Sequence, residues 1–138
     1  MKTYDCVPFF NEFDQLRLRI ACLEDVVDRF VVIEAHQTHT GKAKPLYLAA
    51  SQDRELLAHP KLVARAVDLP VGYSHWEREQ SQREAIGPVL RELGAAPGDL
   101  VLVSDVDEIP TVAAVRRAGE VLSAAQTRSM LIFEQRMF

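Results

Sequence analysis

Apolar positions along the chain follow two rhythms, and the alternation between them predicts the fold. Short runs rich in Val, Ile, Leu and aromatic residues occupy 4–10, 30–33, 62–67, 100–103 and 130–133. Runs of this length bounded by polar or turn-forming residues read as strands, with 30–33 and 100–103 buried on both faces. Pro8 breaks the first run, which ends in a loop at Asn11 and Glu12. Between the runs the spacing becomes helical. Leu16, Ile20, Leu23 and Val27 stand three or four apart, which predicts an amphipathic helix over 13–27. A short helix is expected over 51–57 with Ser51 as N-cap, and a long one over 76–93 that Pro88 kinks or divides. After a turn at 95–99 and the 100–103 strand, Thr111 caps a last helix over 111–122.

Strand and helix alternating in this way predict an α/β fold, a Rossmann-like and mostly parallel sheet flanked by helices. Such sheets bind ligands outside the carboxyl ends of their strands. Two polar segments fall there: 34–45 after the second strand and 104–108 after the fourth. The sequence shows no repeat and no second domain. It stops in strand-like residues, so the single domain expected over 1–138 is expected to be incomplete at its C-terminus.

Composition narrows the function classes. With 48% apolar and 26% charged residues, the chain has a soluble globular balance, which excludes a disordered tail or a low-complexity linker. A net charge of -4 gives no general attraction to nucleic acid or an anionic membrane. Cys6 and Cys22 fit no disulfide framework and no zinc motif, and are expected as buried or half-buried thiols. No stretch approaches the roughly 18 apolar residues of a membrane span, and the first residues lack the core of a signal peptide. A cytoplasmic protein is the expectation, with peripheral membrane association compatible with it.

Three segments carry candidate chemistry. In the sequence Ser104-Asp105-Val106-Asp107-Glu108, extended backbone would point Asp105 and Asp107 the same way. Paired carboxylates suit Mg²⁺ or Mn²⁺ on a substrate phosphate. Acidic residues at a strand end also serve simply as solvated or capping groups. Residues 38–45, Thr-His-Thr-Gly-Lys-Ala-Lys-Pro, echo a phosphate loop, but His36 stands where its first Gly belongs and Ala43 follows the Lys. What remains is a loop whose His39, Thr38, Thr40, Lys42 and Lys44 could hold a polyphosphate or a sugar, or merely face solvent. In the 76–84 segment, Trp76, Glu79 and Arg83 share a helix face, which reads equally as a charged surface anchored by a buried Trp. The histidines His36, His39, His59 and His75 show no metal-ligand spacing.

Taken together and in order, five strings resemble glycosyltransferase family 17. They are residues 4–12, 31–35, 38–46, 76–83 and 104–110, so the resemblance covers nearly the whole chain. It implies a nucleotide-sugar transferase fold of the GT-A type, with 1–138 as the donor-binding portion of a longer domain. It further implies inverting transfer of N-acetylglucosamine from a UDP-sugar to a glycan acceptor hydroxyl, of the kind used in protein N-linked glycosylation. Asp105 and Asp107 would then hold Mn²⁺ or Mg²⁺ on the donor diphosphate. Lys42, Lys44 and Arg83 would add positive charge, and Asn11, Glu12 and Glu34 would hold the nucleoside. Glu108 is the acidic residue beside the metal pair, a candidate for the general base or equally for a cap on the following helix. The Ala- and Arg-rich composition hints at a bacterial source. Two alternatives stand beside this reading. One is a truncated module that binds the nucleotide sugar without transferring it. The other is a phosphatase of the haloacid dehalogenase type, although Ile109 replaces the Thr or Val its motif prefers.

Overall fold

The structure is a computed structural model and describes residues 1–70, 72–125 and 129–134. Four strands, β1 (Thr3–Phe9), β2 (Arg29–Ala35), β3 (Leu62–Val67) and β4 (Leu100–Val103), form one sheet in the order β3-β2-β1-β4. Every pairing is parallel, as the alternating pattern predicts. The helices are α1 (Phe13–Leu23), α2 (Arg54–Leu57), α3 (His75–Glu84), α4 (Ile86–Glu92) and α5 (Val112–Ala124).

Strand alternation divides the core into two layers. Val7 and Phe9 of β1 and Phe30 and Val32 of β2 pack with Leu16, Ile20 and Leu23 of α1, Leu56 of α2 and Val115 of α5. Their neighbours Tyr4, Cys6, Val31 and Ile33 point to the opposite face, against Ile86 and Val89 of α4. Pro8 is tolerated in the central strand because even-numbered residues of β1 turn their backbone toward β4. Their last pairing there is Cys6 with Val103, so the amide that Pro8 lacks has no partner to lose.

The structure corrects several local expectations. Helix α1 ends at Leu23 rather than Val27, because the chain turns over Leu23, whose carbonyl accepts the Val26 and Val27 amides. Asp53, not Ser51, caps the short helix, its carboxylate accepting the Leu56 N–H at 3.0 Å. The long segment is divided at Ala85, and Pro88 sits in the first turn of α4, where an amide would have no helical partner anyway. Thr111 caps α5 as expected.

The largest differences lie at one edge of the sheet. Strand β4 is covered on one face only. Leu100 and Leu102 enter the α1/α5 layer, whereas Val101 and Val103 are exposed, at 38% and 52%. Among the described residues the 130–133 segment pairs with no strand, and it is also exposed. Among the described residues no helix is long and apolar enough to cross a membrane.

Candidate functional site

At the carboxyl ends of β1, β2 and β4 lies a cleft of about 560 Å³. Its walls are the 36–45 loop, the 104–108 loop, the end of β1 with the start of α1, and one face of α3.

The 104–108 loop is shaped from below by a buried ion pair. Asp5 of β1 and Arg19 of α1 lie in the α1 layer with side chains 1% and 0% exposed. Arg19 donates twice to Asp5, from Nε to Oδ2 at 2.6 Å and from Nη2 to Oδ1 at 2.7 Å. Its remaining donors reach the loop: Nη1 meets the carbonyls of Asp105 at 2.9 Å and Glu108 at 3.0 Å, and Nη2 meets Ser104 Oγ at 2.8 Å. A planar guanidinium with five donors is suited to such a junction.

Held in this way, the loop is a turn, not a continued strand. The Glu108 amide donates to the Asp105 carbonyl, and the Glu108 carboxylate accepts the Asp105 N–H at 2.9 Å. Val106 points into the core between the two aspartates. The extended-backbone reason for pairing Asp105 with Asp107 therefore fails, yet the turn brings both side chains to the cleft. Asp105 forms an ion pair with Arg83 of α3. Asp107 is exposed and has no hydrogen bond or ion pair among the described residues. Glu108 lines a different groove, beside β4, and is absent from the cleft wall.

The 36–45 loop is a small hairpin. Gln37 bridges Ala43, the Thr38 amide donates to the Lys42 carbonyl at 2.8 Å, and Gly41 makes the turn at φ 88°. A side chain at Gly41 would also collide with Arg78, whose Nη2 lies 2.9 Å from the position of a Cβ. Turn geometry and this close approach account for the Gly41 of the Gly-Lys pair that resembles a phosphate loop. Helix α3 anchors the hairpin. Arg78 Nη1 donates to the His39 carbonyl at 3.1 Å, and Gln82 Oε1 lies 2.8 Å from His39 Nε2. A capping box between Ser74 and Glu77 starts this helix and fixes its first turn.

The expected site residues thus separate. Glu12, His39, Thr40, Lys44, Arg83, Asp105 and Asp107 line the cleft. Within that set, Glu12 directs its carboxylate to the amides of Phe10 and Asn11. The Lys44 side chain is only 4% exposed, its ammonium held by Glu34 Oε1 at 3.3 Å and the Pro45 carbonyl at 3.0 Å and lying over the rings of Phe10 and Tyr47. It is committed to the fold. Glu34 is buried as the partner of Lys44 and accepts the Leu48 N–H. Asn11 and Lys42 are exposed outside the cleft wall. Trp76 is 68% exposed and anchors nothing in the core.

Sequence reading missed three features. Arg19 lies within the apolar stripe of α1 between Leu16 and Ile20, and a charge there was the available signal. Gln82 is buried, and its carboxamide Nε2 donates to the Ile33 carbonyl at 2.9 Å. His39, His75 and Glu79 bring their ligand atoms within 4.8 Å of one another, although the histidines show no metal-ligand spacing along the chain. The clue was His75 and Glu79 at i,i+4 on one helix.

Cysteine chemistry is divided as well. Cys6 is buried, and desolvation together with the neighbouring Asp5 pushes its thiol up to about 12. Cys22 is exposed, not half-buried as expected.

Comparison with known proteins agrees with the string pattern. The chain is 32% identical over 107 residues to the human protein named beta-1,4-mannosyl-glycoprotein 4-beta-N-acetylglucosaminyltransferase, and to its rat counterpart. The alignment covers 72% of this chain but only 20% of each relative. No solved structure matches. The profile of glycosyltransferase family 17 matches residues 1–127, and the chain belongs to that family.

Proposed function

We propose that this chain forms the donor-binding portion of an N-acetylglucosaminyltransferase with a GT-A-type sheet. The donor is a UDP-sugar, and transfer to a glycan acceptor hydroxyl proceeds with inversion. The observation that carries the reading is a pair of carboxylates, Asp105 and Asp107, held at the cleft by a buried guanidinium in a chain of this family.

The oxygen donors of Asp105 and Asp107 fit a hard cation such as Mn²⁺ or Mg²⁺, and Asp107 has a carboxylate free for one. Such a cation supplies charge stabilisation of a departing diphosphate. The chain's own residues do the rest. Arg83 stands between Glu79 and Asp105 and can exchange one carboxylate for a phosphate oxygen. Thr40 and His39 present a hydroxyl and an imidazole from the hairpin. Lys44 contributes by holding the hairpin through Glu34, and Glu108 by closing the turn on the Asp105 amide.

That commitment of Glu108 bears on catalysis, because an inverting transfer needs a base at the acceptor hydroxyl. The test is to incubate the 138-residue chain with labelled UDP-N-acetylglucosamine, Mn²⁺ and a panel of glycan acceptors. The label is expected to be retained by the protein, with little or no transfer. Failure to retain label refutes the donor site. Robust turnover abolished by Asp107→Ala would instead extend the function of this chain to the complete reaction.

A further inference from the structure

We propose that His39, His75 and Glu79 form a second metal site in the cleft, selective for Zn²⁺ and similar borderline ions. It is distinct from the aspartate pair and stands on its own observations. Among the described residues this is the group of His, Cys, Asp and Glu side chains whose ligand atoms converge, all within 4.8 Å. Zinc bonds to nitrogen and oxygen are about 2 Å long, so two ligand atoms on one ion lie at most about 4 Å apart. Small side-chain rotations close that gap. The two rings already meet edge to face, with centroids 5.2 Å apart.

The second observation is the buried carboxamide behind the site. Gln82 is 4% exposed, and its Nε2 faces two backbone carbonyls, Ile33 at 2.9 Å and Phe9 at 3.5 Å. The amino group must be the one facing them, which leaves Oε1 as the acceptor toward His39. His39 Nε2 therefore carries the proton in the neutral ring, and its Nδ1 holds a free lone pair. A buried acceptor that fixes a histidine's tautomer and ring plane is the usual companion of a metal-binding imidazole. No described residue hydrogen-bonds to Nδ1.

Helix α3 sets the other two ligands. The Ser74–Glu77 capping box fixes its first turn, and His75 and Glu79 are one turn apart on the face toward the hairpin. Glu79 has only a long contact with Arg83, at 3.6 Å, to give up. Two imidazoles and one carboxylate favour Zn²⁺ over Mg²⁺ or Ca²⁺, which prefer all-oxygen shells. Three protein ligands leave a coordination position open to the cleft, as in sites that bind or activate a ligand and unlike closed structural sites.

The test is titration of the chain with Zn²⁺ alone, read by calorimetry, with Co²⁺ as a spectroscopic substitute. One ion per chain is expected, with visible Co²⁺ bands of a low-coordinate nitrogen complex. His75→Ala and Glu79→Gln should each weaken Zn²⁺ binding by at least about tenfold, the lower bound even for outer partners of a metal site. Both side chains are at least partly exposed, so the variants should fold, and circular dichroism checks this. Asp107→Asn and His59→Ala should bind Zn²⁺ as the parent does. No zinc binding, equal binding by His75→Ala, or loss of binding in Asp107→Asn would each overturn the proposal.

Discussion

The 104–108 loop hangs from a buried guanidinium, whereas the His39 ring of the 36–45 hairpin rests on a buried amide, beside the hairpin's other ties to Arg78 and to the Glu34–Lys44 pair. Arg19 reaches the first through an ion pair sealed inside the α1 layer. Gln82 reaches the second with a neutral group that also ties β1 and β2 to α3. Both solve the same problem, which is to fix a polar loop at the open end of a parallel sheet. A guanidinium bound to a carboxylate can meet several carbonyls at once, but it is costly if its partner is lost. The carboxamide gives up less when removed, and it orients the imidazole above it. The anchor beneath the aspartates is therefore the more costly to remove.

Removing either partner of the buried pair is the strongest way to break this contrast. Arg19→Ala strands the Asp5 carboxylate in the core and should lower stability by about 3–5 kcal/mol. Replacing both residues with apolar ones of similar size should recover most of that loss while leaving the 104–108 carbonyls unanchored. Denaturant unfolding of the single and double variants measures both effects. At the other wall, Gln82→Ala leaves the Ile33 and Phe9 carbonyls without this donor, at a cost of about 1–3 kcal/mol. A loss at Gln82 equal to or larger than that at Arg19 would contradict the ranking of the two walls.

An effect confined to alkaline pH concerns Cys6, next to Asp5 in β1. Its thiol is held neutral, up to about 12, first by burial and then by Asp5. A raised folded pKa means that the contribution is complete below the unfolded value of 9.0 and is lost as pH rises from there toward 12. Stability should therefore fall over that alkaline interval, and less so in Cys6→Ala. At neutral pH a thiol reagent should titrate Cys22 alone in the native chain, and both cysteines once it is unfolded.

Much of the frame was legible because periodicity reports burial. Strand β3 spans the expected 62–67, and the Thr111 cap and the break near Pro88 stand where the local chemistry put them. Apolar runs do not reveal how many neighbours a strand has, so Val101 and Val103 read as core although β4 is covered on one face only. The Met130–Phe133 run read as a strand but pairs with none among the described residues. In the site, Asp105 and Asp107 reach the cleft by a turn rather than by strand alternation, a difference that depends on Arg19, 86 residues away from Asp105 in sequence. Lys44 and Glu34 look like ligand contacts along the chain, yet they neutralise each other beneath the hairpin. Pairings between distant elements decide which charges remain available, and a sequence pattern does not record them.

The central proposal is that Asp105 and Asp107 make the cleft a metal-dependent diphosphate site. Calorimetric titration of UDP into the chain, with Mn²⁺ and then with a chelator, tests it most directly. Affinity should be at least about tenfold higher with Mn²⁺, equivalent to about 1.4 kcal/mol, and Asp107→Ala should erase the difference. UDP binding that is equally tight in chelator, or a Mn²⁺ effect that survives in the Asp105→Ala/Asp107→Ala double variant, would contradict the account.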